Sequence, residues 1–308
     1  MNSGIGNTMD NLVVEFLRER TLSIDMELNE PLYNTIYYLE KSDEIVNRLC
    51  HENQQDLIEY VPWSSMHDMY KRNYEYCCGA LGCFLIAQFP SSEALCRTAI
   101  EGAVNLFYVS LGDSMDKQIA YFKNYLETER KQNKNWRKSV EESDYSVSAK
   151  KQHFEKISQK DEVLDFCENT LRQSLSLAEV DYDSSNLKWP SIFDRFREIN
   201  DEVGYRTIYV ALCSQAHNDA EDVLNRIMSR VLENVVGLDE AQTVEQYLFS
   251  LFMVMNAIKY HINASAMYIA KFEINVSELI ELLKEILQAI WLLTEIMPES
   301  ISEKINFG

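Results

Sequence analysis

The sequence predicts an all-α protein: a single bundle of long antiparallel helices with a projecting, locally basic helical hairpin. Three observations predict it. Glycine (9) and proline (5) are scarce in 308 residues, where average usage would give about 20 and about 15, so strands joined by tight hairpins lack their turn formers. Apolar residues recur at helical spacing, as in Leu32, Ile36, Leu39, Ile45 and Leu49. Long apolar helices are expected near both ends, with no internal repeat, low-complexity segment or evident boundary between them, so residues 1–308 read as one helical domain.

Taken in order, a first helix is expected over 9–20 and a second over 30–50, with Pro31 in a first-turn position. After the acidic connection 51–63, a third helix over 64–89 turns from polar (MHDMYKRNYEY) to nearly all apolar (CCGALGCFLIAQF), which places its second half in the core. Pro90 is expected to stop it, and Ser91 or Ser92 to cap the next helix, 91–112. There Arg97, Glu101, Asn105 and Tyr108 follow at steps of four, four and three and form a polar line. Gly102 beside them lets another backbone come close.

The segment 116–160 differs in character, with 11 Lys/Arg against 7 Asp/Glu in a chain of net charge −20. Its tract RKQNKNWRK is strongly basic, and a projecting helical hairpin suits that composition. Helix resumes over 162–177, and the polar loop 180–186 leads to the stretch 189–227, read as two helices joined at Gly204. Beyond the break at Gly237 and Leu238, a pair of apolar helices over 241–297 closes the fold.

The chemistry-bearing residues cluster in two places. In the helix after Gly204, residues Arg206, Tyr209, Cys213, His217 and Glu221 recur on one side at about 100° per residue, with Ser214 one turn before His217. Polar groups in line on a mostly apolar helix need partners. The Arg97–Glu101 helix could face them, supplying a guanidinium to hold an anion and a carboxylate to orient the imidazole. A structural polar network and a functional one both fit this pattern. The second place is the basic tract, where Arg130, Lys131, Lys134, Arg137 and Lys138 surround Trp136. It reads either as a solvated helix face balancing its own acids or as a nucleic-acid contact with Trp136 stacked on a base. Binding by a patch of that size would be weak and salt-sensitive unless dimerisation doubled it. His51, His67, His153 and His261 have no convincing company in sequence.

An acidic chain (pI about 4.7) argues against a surface generally attractive to nucleic acid or anionic lipid. The seven cysteines sit in apolar helical stretches without paired C-x-x-C motifs, as small buried hydrophobes of a reducing compartment do. The N-terminus shows no secretory pattern. The longest apolar runs carry Lys259, His261, Glu278, Glu281, Lys284, Glu285 and Glu295, too many charges for a bilayer span. A cytoplasmic protein without membrane contact is therefore expected. No carboxylate/histidine cluster has ligand spacing, so neither a metal nor another cofactor is expected.

The pattern Arg97-x-x-x-Glu101, a later Trp189, then Tyr205, Tyr209 and Ser214-x-x-His217 resembles an uncharacterised bacterial family of helical proteins, over residues 70–235. In general layout that family is similar to the HEPN superfamily of helical ribonucleases and nucleic-acid-associated proteins. The resemblance implies a bacterial effector or accessory protein of anti-phage defence that binds or cleaves RNA without a metal. His217 would be the base, Arg97 the anion clamp, and Glu101, Tyr209 and Ser214 the residues that orient them. The chain departs from the HEPN ribonuclease motif, in which four to six residues separate arginine and histidine. Arg206 precedes His217 by eleven positions, about 16 Å of helix, so Arg97 would have to approach across helices or a second subunit contribute. The competing expectation is a non-catalytic interaction module that recruits a protein partner through the acidic surface. A homo-oligomer is expected in either case.

Overall fold

The computed structural model describes residues 30–215 and 238–296. The expected helix 9–20 and the part of 189–227 beyond Gln215, His217 included, lie outside the described residues. Within them the protein is all-α, with no β-strand. The helices are α1 (Glu30–Glu52), α2 (Gln54–Glu59), α3 (Val61–Leu85), α4 (Phe89–Ser110), α5 (Ser114–Glu142), α6 (Val147–Leu177), α7 (Ile192–Glu198), α8 (Glu202–Gly204), α9 (Val210–Gln215), α10 (Leu238–Ala270) and α11 (Ser277–Ile296). A π-helical turn, Tyr205–Tyr209, joins α8 to α9.

The described residues form two compact units. The first contains α1, α2, α3 from Trp63 onward, α4 and everything from α7 to α11. Helix α10 is its centre, packed against α4, α11 and α1. The reason is composition: Leu251, Val254, Met255, Ala257, Ile258, Ile262 and Ile269 put apolar side chains on several sides of the helix, and all are fully buried. Ala99 and Ala103 of α4 are fully buried as well.

The junction before α4 differs from the expected proline stop. Helix α3 ends at Leu85, and Ala87 takes a left-handed backbone (φ 56°) in the turn that follows. Pro90 then sits in the first turn of α4, where its missing N–H costs nothing. Ser92 is buried and its hydroxyl donates to the Ala80 carbonyl at 2.8 Å, so it ties α4 to α3 instead of capping.

The second unit is built on α5 and α6, an antiparallel hairpin turned at residues 143–146. Asp113 caps α5 by accepting from the Asp116 N–H, and Ser146 caps α6 by accepting from the Ala149 N–H. Cross-hairpin contacts join the two helices along their length: Glu129 with Lys160, Arg130 with Asp165, Asn133 with Asp161, Trp136 with His153. Tyr182, from the loop after α6, packs with Ile119 and Leu175. Its ring carries Arg172 on one contact (4.1 Å) and Lys123 on another (4.6 Å).

Candidate functional site

The site is assembled where α4 meets the chain from α7 to α9, all within the first unit. Its geometry starts at Asp201. This residue caps α8 by accepting from the Gly204 N–H at 3.0 Å, and its other carboxylate oxygen accepts from the Tyr260 hydroxyl of α10. Gly204 lies against both partners; a Cβ there would run into the Tyr260 hydroxyl and the Asp201 carboxylate. Glycine is required by this close approach, since its backbone is ordinary right-handed helix.

From Gly204 the backbone enters the π turn, in which the Val210 N–H bonds back to the Tyr205 carbonyl, five residues earlier. The wider turn changes which side chains share a face. Arg206, expected in line with Tyr209, points elsewhere: it is exposed, paired with Glu202 at 3.2 Å and set over the Phe193 ring at 4.8 Å. Tyr209 is buried against fully buried Phe196 (5.6 Å between rings) and stacks on Tyr205 (5.6 Å, 23°).

Tyr209 reaches the polar line of α4. Its hydroxyl donates to Glu101 Oε2 at 2.8 Å, and the Arg97 guanidinium sits 5.7 Å from its ring centre. Burial, followed by the Glu101 carboxylate, pushes the phenol well above its ordinary pKa, so it stays a protonated donor. Glu101 also faces Arg195 of α7, Oε1 to Nη2 at 3.5 Å. The Arg195 side chain is 6% exposed while that of Glu101 is 40% exposed, so the pair joins a buried cation to a carboxylate at the surface. Arg97 is half-buried and has no ion pair among the described residues, and its buried Nε has no acceptor there. Cys213, half-buried on α9, is close enough to Arg97 to interact with it electrostatically.

Of the residues expected to carry chemistry, Arg97, Glu101 and Tyr209 therefore meet. Ser214 lies on α9, His217 lies beyond the described residues, and Arg206 stands apart. Arg195 belongs to the cluster and has no distinguishing mark in sequence. It shares a seven-residue helix with Arg197, and tertiary packing buries Arg195 while leaving Arg197 exposed.

The basic tract is largely answered within its own hairpin. Arg130 pairs with Asp165 (2.8 Å) and Glu168 (2.7 Å), Arg137 with Asp161 (3.6 Å) and Lys138 with Glu142 (3.7 Å). Trp136 is half-buried with its ring edge-on to His153. Lys131 and Lys134 are exposed and have no ion pair among the described residues. Three histidines set aside in sequence do have company, His153 through the Trp136 and Tyr145 rings. The His261 ring, fully buried, lies 3.1 Å from the Asn73 amide nitrogen and stacks on Tyr70, while His67 meets the Tyr268 hydroxyl at 3.1 Å. Burial pushes His261 down to about 3, which keeps the ring neutral.

Among the described residues, no group of three His, Cys, Asp or Glu stands where it could hold a metal ion, and no helix is long and apolar enough to cross a membrane. In comparisons with known proteins, one family, described as a family of unknown function (DUF5677), matches residues 69–232. No curated protein and no solved structure matches the chain.

Proposed function

The chain belongs to the DUF5677 family, and from that footing we propose that it acts on RNA, with Arg97 as the phosphate-binding group of a HEPN-like site. It serves in this reading as a bacterial cytoplasmic effector or accessory protein of anti-phage defence. One observation carries the proposal: Arg97 keeps a half-buried guanidinium with no carboxylate partner among the described residues, although Glu101 stands one turn away on the same helix. Glu101 is engaged by Arg195 and Tyr209 instead. A permanently charged, planar donor set that forms no ion pair among the described residues is suited to a phosphate. Desolvation on one side strengthens its attraction for one.

In the cleavage reaction His217 removes the proton of a ribose 2′-hydroxyl, whose oxygen attacks the adjacent phosphorus. The bond from phosphorus to the 5′-oxygen breaks, that oxygen takes a proton from solvent water, and a 2′,3′-cyclic phosphate remains. Arg97 stabilises the charge that builds on the phosphate oxygens. Tyr209 holds the guanidinium in place through its ring and hydroxyl, and Ser214 completes the setting.

The test is fluorescence anisotropy with a single-stranded RNA, in parallel with a gel assay for cleavage. Arg97→Ala is expected to weaken binding by about tenfold or more and to reduce the salt dependence by about one counterion. Arg97→Lys should retain part of the affinity, and His217→Ala should bind normally and fail to cleave. A folded Arg97→Ala protein with unchanged affinity would sink the proposal.

The Arg195–Glu101–Tyr209 linkage specifically favours a second reading, in which these groups lock α4 to α7 and the π turn of a non-catalytic interaction module. On that reading Glu101→Gln lowers stability by about 1–2 kcal/mol and RNA is not bound at all.

A further inference from the structure

A lysine that buries its stem ordinarily keeps its ammonium in water or on an acceptor. Four half-buried lysines of this chain have an acceptor. Lys41 meets Glu44 at 2.9 Å and Lys160 meets Glu129 at 2.6 Å. Lys123 and Lys150 donate to the Ser185 and Glu141 carbonyls at 2.8 and 2.9 Å. Lys259 differs from them. It stands within α10, half-buried, between fully buried Ile258 and buried Tyr260. Its amine has no hydrogen bond or ion pair among the described residues and lies 4.1 Å from the centre of the Tyr260 ring. The carboxylate that acts on it, Asp201, already accepts from the Gly204 N–H and the Tyr260 hydroxyl. The Lys259 Nζ still touches solvent, unlike the sealed and unpartnered Trp63 Nε1 and His261 Nε2.

Water is kept from most of this side chain and no paired anion compensates, so the ammonium is penalised relative to the neutral amine. Burial accordingly pushes Lys259 below the ordinary lysine pKa, and the opposing pull of Asp201 is the smaller effect. A lysine desolvated in this way, with its nitrogen reachable, is an activated nucleophile. We propose that Lys259 is an acyl-acceptor site, whose neutral amine takes an acyl group from a small thioester. The nitrogen lone pair attacks the thioester carbonyl carbon and forms the carbon–nitrogen bond. The carbon–sulfur bond then breaks, and one amine proton passes through water to the departing thiolate. An amine and a thioester thus become an amide and a thiol. The surroundings favour an acyl donor over an aldehyde. An amide is neutral and removes the uncompensated charge from the half-buried position, whereas an imine can be protonated and restore it. The site uses none of the residues around Arg97 and is independent of the RNA reading.

The experiment incubates the full chain with S-acetyl-N-acetylcysteamine, a small neutral thioester, from about pH 7 to 9.5. Peptide mass spectrometry follows acetylation at each lysine, with exposed Lys131 and Lys134 as references. Lys259 is expected to be acetylated, and its rate to level off at lower pH than theirs. The ratio of its rate to theirs should therefore fall as pH rises. Labelling through transiently unfolded chain would titrate as an ordinary lysine and give a flat ratio. A flat ratio, or no acetylation of Lys259 where the references are labelled, overturns the proposal. A second measurement tests the uncompensated charge without any acyl donor. Lys259→Met, close in length and neutral, should melt about 2 °C or more above the parent at about pH 7. That gap should narrow as pH rises, because the unfolded parent holds a proton that its folded form releases, so the parent gains stability. A Lys259→Met protein that melts at or below the parent, or above it by a gap independent of pH, also overturns the proposal.

Discussion

At Gly204 the absence of one methyl group is what lets α8, Asp201 and Tyr260 come together. Gly204→Ala is expected to destabilise the protein by about 2–3 kcal/mol, the upper part of the range for overpacking, because both obstructing groups are hydrogen-bonded to each other and cannot swing away. Urea unfolding measures the loss, and a double-mutant cycle with Tyr260→Phe identifies its origin. Removing the hydroxyl should relieve part of the collision, so additive effects would contradict this account. Gly204 is visible in sequence as the junction between two helices, but its partners are not. Tyr260 lies 59 residues from Asp201, and a turn glycine and a packing glycine look alike until the chain is folded. His261 is similar: its company with Asn73 comes from 188 residues away, beyond any spacing argument.

The element that decides the site is the π turn Tyr205–Tyr209. An α-helical reading of this stretch places Arg206 and Tyr209 on one face, whereas the wider turn sends Arg206 to solvent and Tyr209 to Glu101. Thr207 is exposed, and its hydroxyl only donates back to the Val203 carbonyl. Deleting Thr207 should therefore restore α-helical bonding and swing Tyr209 by about 100° away from Glu101. The expected cost is about 2 kcal/mol or more, from the orphaned carboxylate–phenol bond and the displaced ring, with loss of any Arg97-dependent RNA affinity. A deletion variant within about 0.5 kcal/mol of the parent would show that the turn positions nothing. The approach of α4 to this stretch was legible, because Arg97 and Glu101 fall on a helical line and polar lines need partners. The phase of the turn was not, since hydrophobic spacing assumes one helical period throughout. The α5–α6 hairpin shows the same division. Its basic composition was legible, while the pairing of Arg130, Arg137 and Lys138 with their own neighbours depends on how two helices come together.

For the whole molecule the dominant fact is charge. At −20 over 308 residues the folded chain holds many like charges within one another's fields, and this self-repulsion opposes compactness. Raising salt from about 0.01 to 0.1 M shortens the screening length from about 30 to 10 Å, so the melting temperature should rise over that range. The exposed ion pairs of the hairpin pull the other way and are each worth little. A melting temperature that is flat or falls in differential scanning fluorimetry would mean those pairs outweigh the repulsion. The all-α class was legible at this scale because glycine and proline are counted over the entire chain, and no local error alters the count. Membership of the family also rests on a long stretch, residues 69–232, and that stretch runs straight through the π turn. Such a turn is a helix that has absorbed one residue more than its register holds. A relative with a plain α-helix at this place would therefore match this chain only across a one-residue gap opened inside a helix. Aligned without that gap, every position on one side of the turn would be one step out of register, and Tyr209 would be compared with its counterpart's neighbour.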